Sequence, residues 1–152
     1  MWDKLRKQMA VNREELHLLL GTFDSLLGDM AAGREPTVVE LSALGGILNS
    51  YYNGIENILK RIAVLVDGGA PRGASWHSEL LMAMAGPSAN RPPVISQEML
   101  QRLRDYLDFR HFYVHGYTYQ LAWKRMAPLV LGCQETLELF EGELDEFLKH
   151  KS

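Results

Sequence analysis

The sequence predicts an all-α fold, a bundle of long antiparallel helices with one short insert helix. Three observations predict it. Apolar residues recur at intervals of three and four through most of the chain, the spacing that lines one face of a helix. Strict apolar–polar alternation never persists for five or six positions, so no strand pattern forms. The richest glycine and proline clusters fall between the periodic stretches, where helices stop.

Leu5, Met9, Leu16, Leu19, Leu20, Phe23 and Leu27 define a first helix from about residue 5 to about 31. It ends in Ala31-Ala32-Gly33-Arg34-Glu35-Pro36. Thr37, with Glu40 three residues on, has the spacing of a capping box. A second helix then runs to about Val66 on Val38, Leu41, Leu44, Leu48, Tyr51, Tyr52, Ile55, Ile58, Leu59, Ile62 and Leu65. It is apolar around much of its circumference and should be central. Gly45-Gly46 weakens it by about 1 kcal/mol per glycine, for close helix contact or at a bend. Residues 67–73 read as a loop, Ser75 to Met84 as a short helix striped by Trp76, Leu80, Leu81 and Met84, and residues 86–93 as the most irregular segment. Ser96 should cap a fourth helix with Met99, Leu100, Leu103, Tyr106 and Leu107 inward, and a last helix should run from about Leu121 to Leu148.

A chain of 152 residues fits one domain, taken as 1–152, with enough length for a real core. Its hydrophobic fraction of 47% and charged fraction of 23% are those of a globular protein. A net charge of -3 argues against gripping duplex nucleic acid over the whole surface. RNA contact, if made, should use a local patch, for which Arg102, Arg104, Arg110, Lys124 and Arg125 are the candidates, offset by Asp105 and Asp108. Glu135, Glu138, Glu141, Glu143, Asp145 and Glu146 read as a solvated face that repels RNA. A lone cysteine, Cys133, excludes an internal disulfide and a Cys-rich zinc site, and its apolar context makes it a core residue. No apolar run approaches the ~20 residues of a membrane span, and no leader-type apolar segment follows the charged N-terminus, so the cytoplasm is the expected compartment.

Phe109-Arg110-His111-Phe112-Tyr113-Val114-His115-Gly116-Tyr117-Thr118-Tyr119 is the segment suited to chemistry. It holds donors, acceptors and a proton carrier near neutral pH. On an ideal helix His111 and His115 share a face, while Arg110 and His115 diverge by ~140°. Convergence of those two needs a distortion at Gly116, a long reach by the arginine, or a dimer whose cleft collects groups from two chains. Zinc at His111 and His115 lacks any Glu, Asp or Cys at a matching spacing, so no metal and no cofactor is expected. Arginine plus histidine is instead sufficient for RNA cleavage. The imidazole moves a proton to or from oxygen, the guanidinium holds the phosphate, and RNA supplies the attacking 2′-hydroxyl.

Arg110, four residues, His115, one residue, then Tyr117 resembles the motif of HEPN-domain toxins, the HepT-like ribonucleases. Phe109-Arg110-His111 with Tyr117 and Leu121, the run from Tyr52 to Lys60, and Trp76-His77 before Leu80-Leu81 are similar to one HepT-like subgroup, so that the likeness covers roughly residues 40 to 125. The resemblance implies a helical bundle that dimerises with its motifs facing each other and cleaves RNA without metal. It implies Arg110 and His115 as catalytic residues, with a polar residue on the helix before the motif in support, a place that Glu56 or Asn53 would fill; His111, on the face of His115, is a further supporting candidate by its position. It also implies an MNT-type nucleotidyltransferase antitoxin as partner, and AMPylation of Tyr117 as the means of control. Where several members carry a basic residue before the histidine, this chain has Val114, one phosphate-binding charge fewer.

Plainer roles stand beside these. Tyr113 and Tyr119 suit packing. Glu56 is spaced to pair with Lys60, an interaction of about 0.3–0.5 kcal/mol. Trp76-His77 suits an anchor for the insert helix. For the whole chain, the rival to the ribonuclease is a non-catalytic HEPN interaction module that binds a partner protein or a nucleotide.

Overall fold

The computed structural model describes residues 1–116, 121–149 and 151, and among them it forms six helices and no strand. These are α1 (Trp2–Thr22), α2 (Asp24–Ala31), α3 (Val38–Val66), α4 (Trp76–Met84), α5 (Gln97–Val114) and α6 (Trp123–Leu148). The all-α bundle is therefore as predicted.

The first predicted helix is two. It breaks at Phe23, which leaves helical geometry at φ -106° and ψ 20°. Thr22 Oγ1 donates to the Leu18 carbonyl at 2.7 Å, and the backbone bond from Phe23 to Leu19 stretches to 3.4 Å. A threonine hydroxyl competing for the i−4 carbonyl bends helices in this way. Apolar spacing continues across the break, so periodicity could not locate it.

The central helix is α3, packed by α1, α4, α5 and α6. The capping box at its start is made: Thr37 Oγ1 accepts from Glu40 N at 3.1 Å, and Glu40 Oε1 accepts from Thr37 N at 2.9 Å. Two glycines admit neighbours to its surface. A Cβ at Gly54 would lie 2.6 Å from Leu16 Cδ2, and one at Gly45 would lie 3.0 Å from the Tyr113 ring. The Gly45-Gly46 pair thus serves close contact, and α3 runs through it unbroken.

Polar groups tie the outer helices in place. Tyr51 and Tyr106, with rings 5.1 Å apart, donate to the α6 carbonyls of Cys133 and Leu129, each at 2.7 Å. Cys133 is buried, and burial pushes its thiol up to about 11, as expected for a packing residue. Ser96 caps α5 by accepting from Met99 N at 3.0 Å, and Glu143 of α6 accepts from both the hydroxyl and the N–H of Ser96 at 2.8 Å. Arg13 of α1 bonds Glu141 and Asp145 at 2.7 Å, and His17 reaches Glu141 at 2.5 Å. Three members of the acidic run are therefore structural partners, which corrects the expectation of a merely solvated face.

The irregular 86–93 segment is organised by Arg91, whose side chain is 1% exposed. It bonds Asp67 twice, at 2.9 and 2.8 Å, and the carbonyls of Gly86, Pro92 and Ala83. Five bonds use the five donors of a guanidinium. No helix among the described residues is long and apolar enough to cross a membrane.

Two outcomes follow from these ties. Arg91→Met leaves the Asp67 carboxylate and three carbonyls without their donor, and should cost about 3–5 kcal/mol in urea unfolding. A loss under 1 kcal/mol contradicts the lock. The α3 cap should fail in acid. Arg34 first, then the Thr37 N–H, hold the Glu40 carboxyl down from 4.5 to about 2. A depressed carboxyl stabilises the fold above its unfolded value and loses that contribution as pH falls through the folded one. Protection of the Glu40 amide, taken relative to its intrinsic exchange rate, should thus fall between pH 4.5 and about 2, and Arg34→Ala should remove much of that pH dependence.

Candidate functional site

One side of α3 is polar. Asn49, Tyr52, Asn53, Glu56 and Lys60 recur at helical spacing on an otherwise apolar helix. The C-terminal half of α5 and the start of α4 supply partners for this stripe.

Arg110, half-buried on α5, donates from Nε to Asn53 Oδ1 at 2.6 Å. Among the described residues its two terminal amino groups make no further bond. A guanidinium pinned through Nε and open at both terminal nitrogens is arranged for two-pronged contact with a phosphate or carboxylate. Asn53 and Arg110 are thus brought together.

Glu56 is 5% exposed, and its carboxylate accepts from His77 Nδ1 at 2.7 Å. The expected alternative partner, Lys60, instead lies over the Trp76 ring, 5.0 Å from its centroid. Trp76 stacks on His77 with centroids 3.7 Å apart. Tyr52 stands one turn before Glu56, its hydroxyl sealed from solvent and without a well-formed hydrogen bond. Burial first, and then the nearby Glu56 charge, raises the Tyr52 phenol, while the Arg110 charge opposes them. Its charged neighbours are therefore Glu56 on one hand and Arg110 on the other.

Helix α5 ends at Val114, with His115 as its C-cap, and Gly116 at φ +83° turns the chain away. A positive φ is cheap for glycine alone. His115 folds back so that Nδ1 meets the His111 carbonyl at 2.5 Å, and the two imidazoles lie 4.3 Å apart. A carbonyl can only accept, so Nδ1 carries the hydrogen and Nε2 presents its lone pair to solvent in the neutral ring. The helix stop frees His115 from the ~100° steps of an ideal helix that set it against Arg110. Within one chain the two keep separate partners, Asn53 and the His111 carbonyl, and neither lies in the dry core. Tyr117 and Tyr119 lie outside the described residues.

Tyr113 packs on Gly45 and stacks on Phe109 at 5.9 Å. Val114 is exposed. Arg102 is engaged by Thr136 at 3.2 Å and lies near Glu98 and Glu135, so the basic patch is narrower than its sequence suggested. A cavity of about 340 Å³ between α5 and α6, walled by Phe109, Phe112, Leu121 and Met126, includes none of the candidate site residues. No group of three or more His, Cys, Asp or Glu side chains suited to a metal occurs among the described residues. Sequence reasoning read Trp76-His77 first as an anchor for the insert helix, with ligand contact as the lesser alternative. The partner of His77, Glu56, is 21 positions away, beyond any local spacing rule.

The arrangement combines a pinned cation, an imidazole with a bare nitrogen, and a second imidazole on a buried carboxylate. Residues 43–151, from the second turn of α3 through α6, match the family model described as HepT-like protein. The chain belongs to the HepT-like family of HEPN proteins. No curated protein and no solved structure matches it.

The His115 tautomer can be checked directly. Nitrogen-15 NMR of the neutral ring should find the hydrogen on Nδ1 and a bare Nε2. The opposite tautomer means that the contact with the His111 carbonyl is not a hydrogen bond.

Proposed function

We propose that this protein is a toxin-type endoribonuclease that cleaves RNA without metal, with Arg110 and His115 as its catalytic residues. The observation that carries the proposal is the Arg110 guanidinium, fixed at Nε by Asn53 with both terminal nitrogens open among the described residues, five residues ahead of a histidine whose Nε2 is bare. Arg110 grips the scissile phosphate and stabilises the charge that builds on its oxygens. His115 takes the 2′-hydroxyl proton as that oxygen attacks phosphorus. Asn53 preorganises Arg110, and His111 orients His115 through its carbonyl. Glu56 supports the site from α3.

The working form is a homodimer in which facing motifs share one cleft, so that Arg110 of one copy and His115 of the other meet on the phosphate. An MNT-type nucleotidyltransferase is the antitoxin, and transfer of AMP to Tyr117 silences the enzyme. Family membership supports a toxin-type function in general.

Purified protein and varied RNAs in chelator supply the test. Wild type should leave 2′,3′-cyclic phosphate ends. His115→Ala should be slower by about 10²–10⁴-fold and Arg110→Ala by about 10²–10³-fold, with melting temperatures close to wild type. Cleavage equal in wild type and His115→Ala refutes the ribonuclease. A stable complex with an intact RNA or partner would then favour a binding module. Mass spectrometry after co-expression with a nucleotidyltransferase from the same genomic neighbourhood should find an added AMP on Tyr117.

A further inference from the structure

The imidazole of His77, held by a residue of the polar stripe of α3, plays no part in the function above. Its setting is built and not incidental. Nδ1 is held at 2.7 Å by a carboxylate that is itself 5% exposed, and the ring is pressed at 3.7 Å on Trp76, over which Lys60 sits. Both χ angles are thereby fixed, while a quarter of the side chain stays open to solvent. A buried carboxylate that orients an imidazole through Nδ1, leaving Nε2 for reaction, is the arrangement by which catalytic histidines are aimed.

Position points the same way. Glu56, which holds His77, follows Asn53, which holds Arg110, by three residues. Side chains so spaced on a helix sit about 5–6 Å apart at Cβ, so the two holders are neighbours on one face of α3. Beside them the Tyr52 hydroxyl is sealed, close enough to Glu56 to share a hydrogen bond with it, and has Arg110 as its other charged neighbour.

The partners of the two histidines also differ in kind. His115 faces a carbonyl, which suits a neutral ring with a bare Nε2. His77 faces a carboxylate, with which a doubly protonated ring forms an ion pair. One is arranged to take a proton and the other to give one.

We propose that His77, aimed by Glu56, is the general acid of the cleft that Arg110 and His115 form. The assignment rests on the ribonuclease function above and completes its proton inventory. As the 2′-oxygen attacks, the bond from phosphorus to O2′ forms and the bond from phosphorus to O5′ breaks. The 2′ proton passes to Nε2 of His115, and Nε2–H of His77 gives its proton to the departing O5′. The products are a 2′,3′-cyclic phosphate and a 5′-hydroxyl. Nothing is oxidised or reduced, and the two imidazoles reset their protons through water. Glu56 is a positioning residue in this scheme, since it acts through His77.

RNA whose scissile 5′-oxygen is replaced by sulfur separates this role from a structural one, because a thiolate leaves without needing a proton. His77→Gln and Glu56→Gln should cleave ordinary RNA about 10²–10⁴-fold and at least 10-fold more slowly than wild type, respectively. Both should cleave the sulfur-bridged RNA within about 3-fold of wild type, while His115→Ala stays slow on both. Equal losses on the two substrates, or no loss on ordinary RNA, overturn the assignment and leave the ribonuclease standing. Wild type that cleaves neither substrate overturns both. Melting temperatures of the variants distinguish a lost acid from a lost fold, and His77→Asn replaces His77→Gln if the latter does not fold.

Discussion

A helix enclosed on most sides can carry polar side chains only where its neighbours satisfy them, and α3 lives under that constraint. Ile55, Ile58, Leu59 and Ile62 on its apolar side are completely buried. Its polar stripe is met by α5 at Asn53 and by α4 at Glu56. A buried amide or carboxylate without a partner costs more than an ordinary hydrogen bond returns. The positions of α4 and α5 are therefore set partly by the demands of two side chains on α3, and those side chains are the ones that arrange Arg110 and His77. Stability and site geometry are here the same set of contacts.

The helices were legible because burial leaves a period in the sequence. The capping box at Thr37, the Ser96 cap and the central place of α3 all follow from local spacing. Three features do not. Thr22 diverts a carbonyl through its own hydroxyl, which bends the chain without interrupting the apolar stripe. Arg91 looks like one more charge in a proline-rich loop until Asp67, 24 residues earlier, is brought to it. Glu141, Glu143 and Asp145 look solvated until α1 and the start of α5 close over them. In each case the deciding partner is a side-chain preference or a residue distant in sequence, and periodicity is blind to both.

The candidate site divides in the same way. Arg110 and His115 stand out by type and spacing, and ideal helical geometry sets them on different faces. In the structure α5 stops at Val114, and the imidazole of His115 bonds back to the last turn, a detail that spacing does not encode. Asn53 was legible as a nearby polar residue, although its grip on Nε of Arg110 was not. His77 was least legible of all, because its importance comes from the burial of Glu56, and burial of a glutamate on a mostly apolar helix is decided only by how α4 lands.

The clasp between the two ends of the bundle has a consequence of its own. Arg6 donates to the Leu148 carbonyl at 2.9 Å and also to that of Lys151, Trp2 packs edge-on against Phe147, and Leu5, Met9, Leu16 and Leu20 of α1 lie in the core. The segment that matches the family begins only at residue 43. The boundary of the recognisable sequence is thus not the boundary of the cooperative unit. A fragment cut to the matched residues would strip one flank of α3 bare and leave the groove at Gly54, shaped to receive Leu16, facing water.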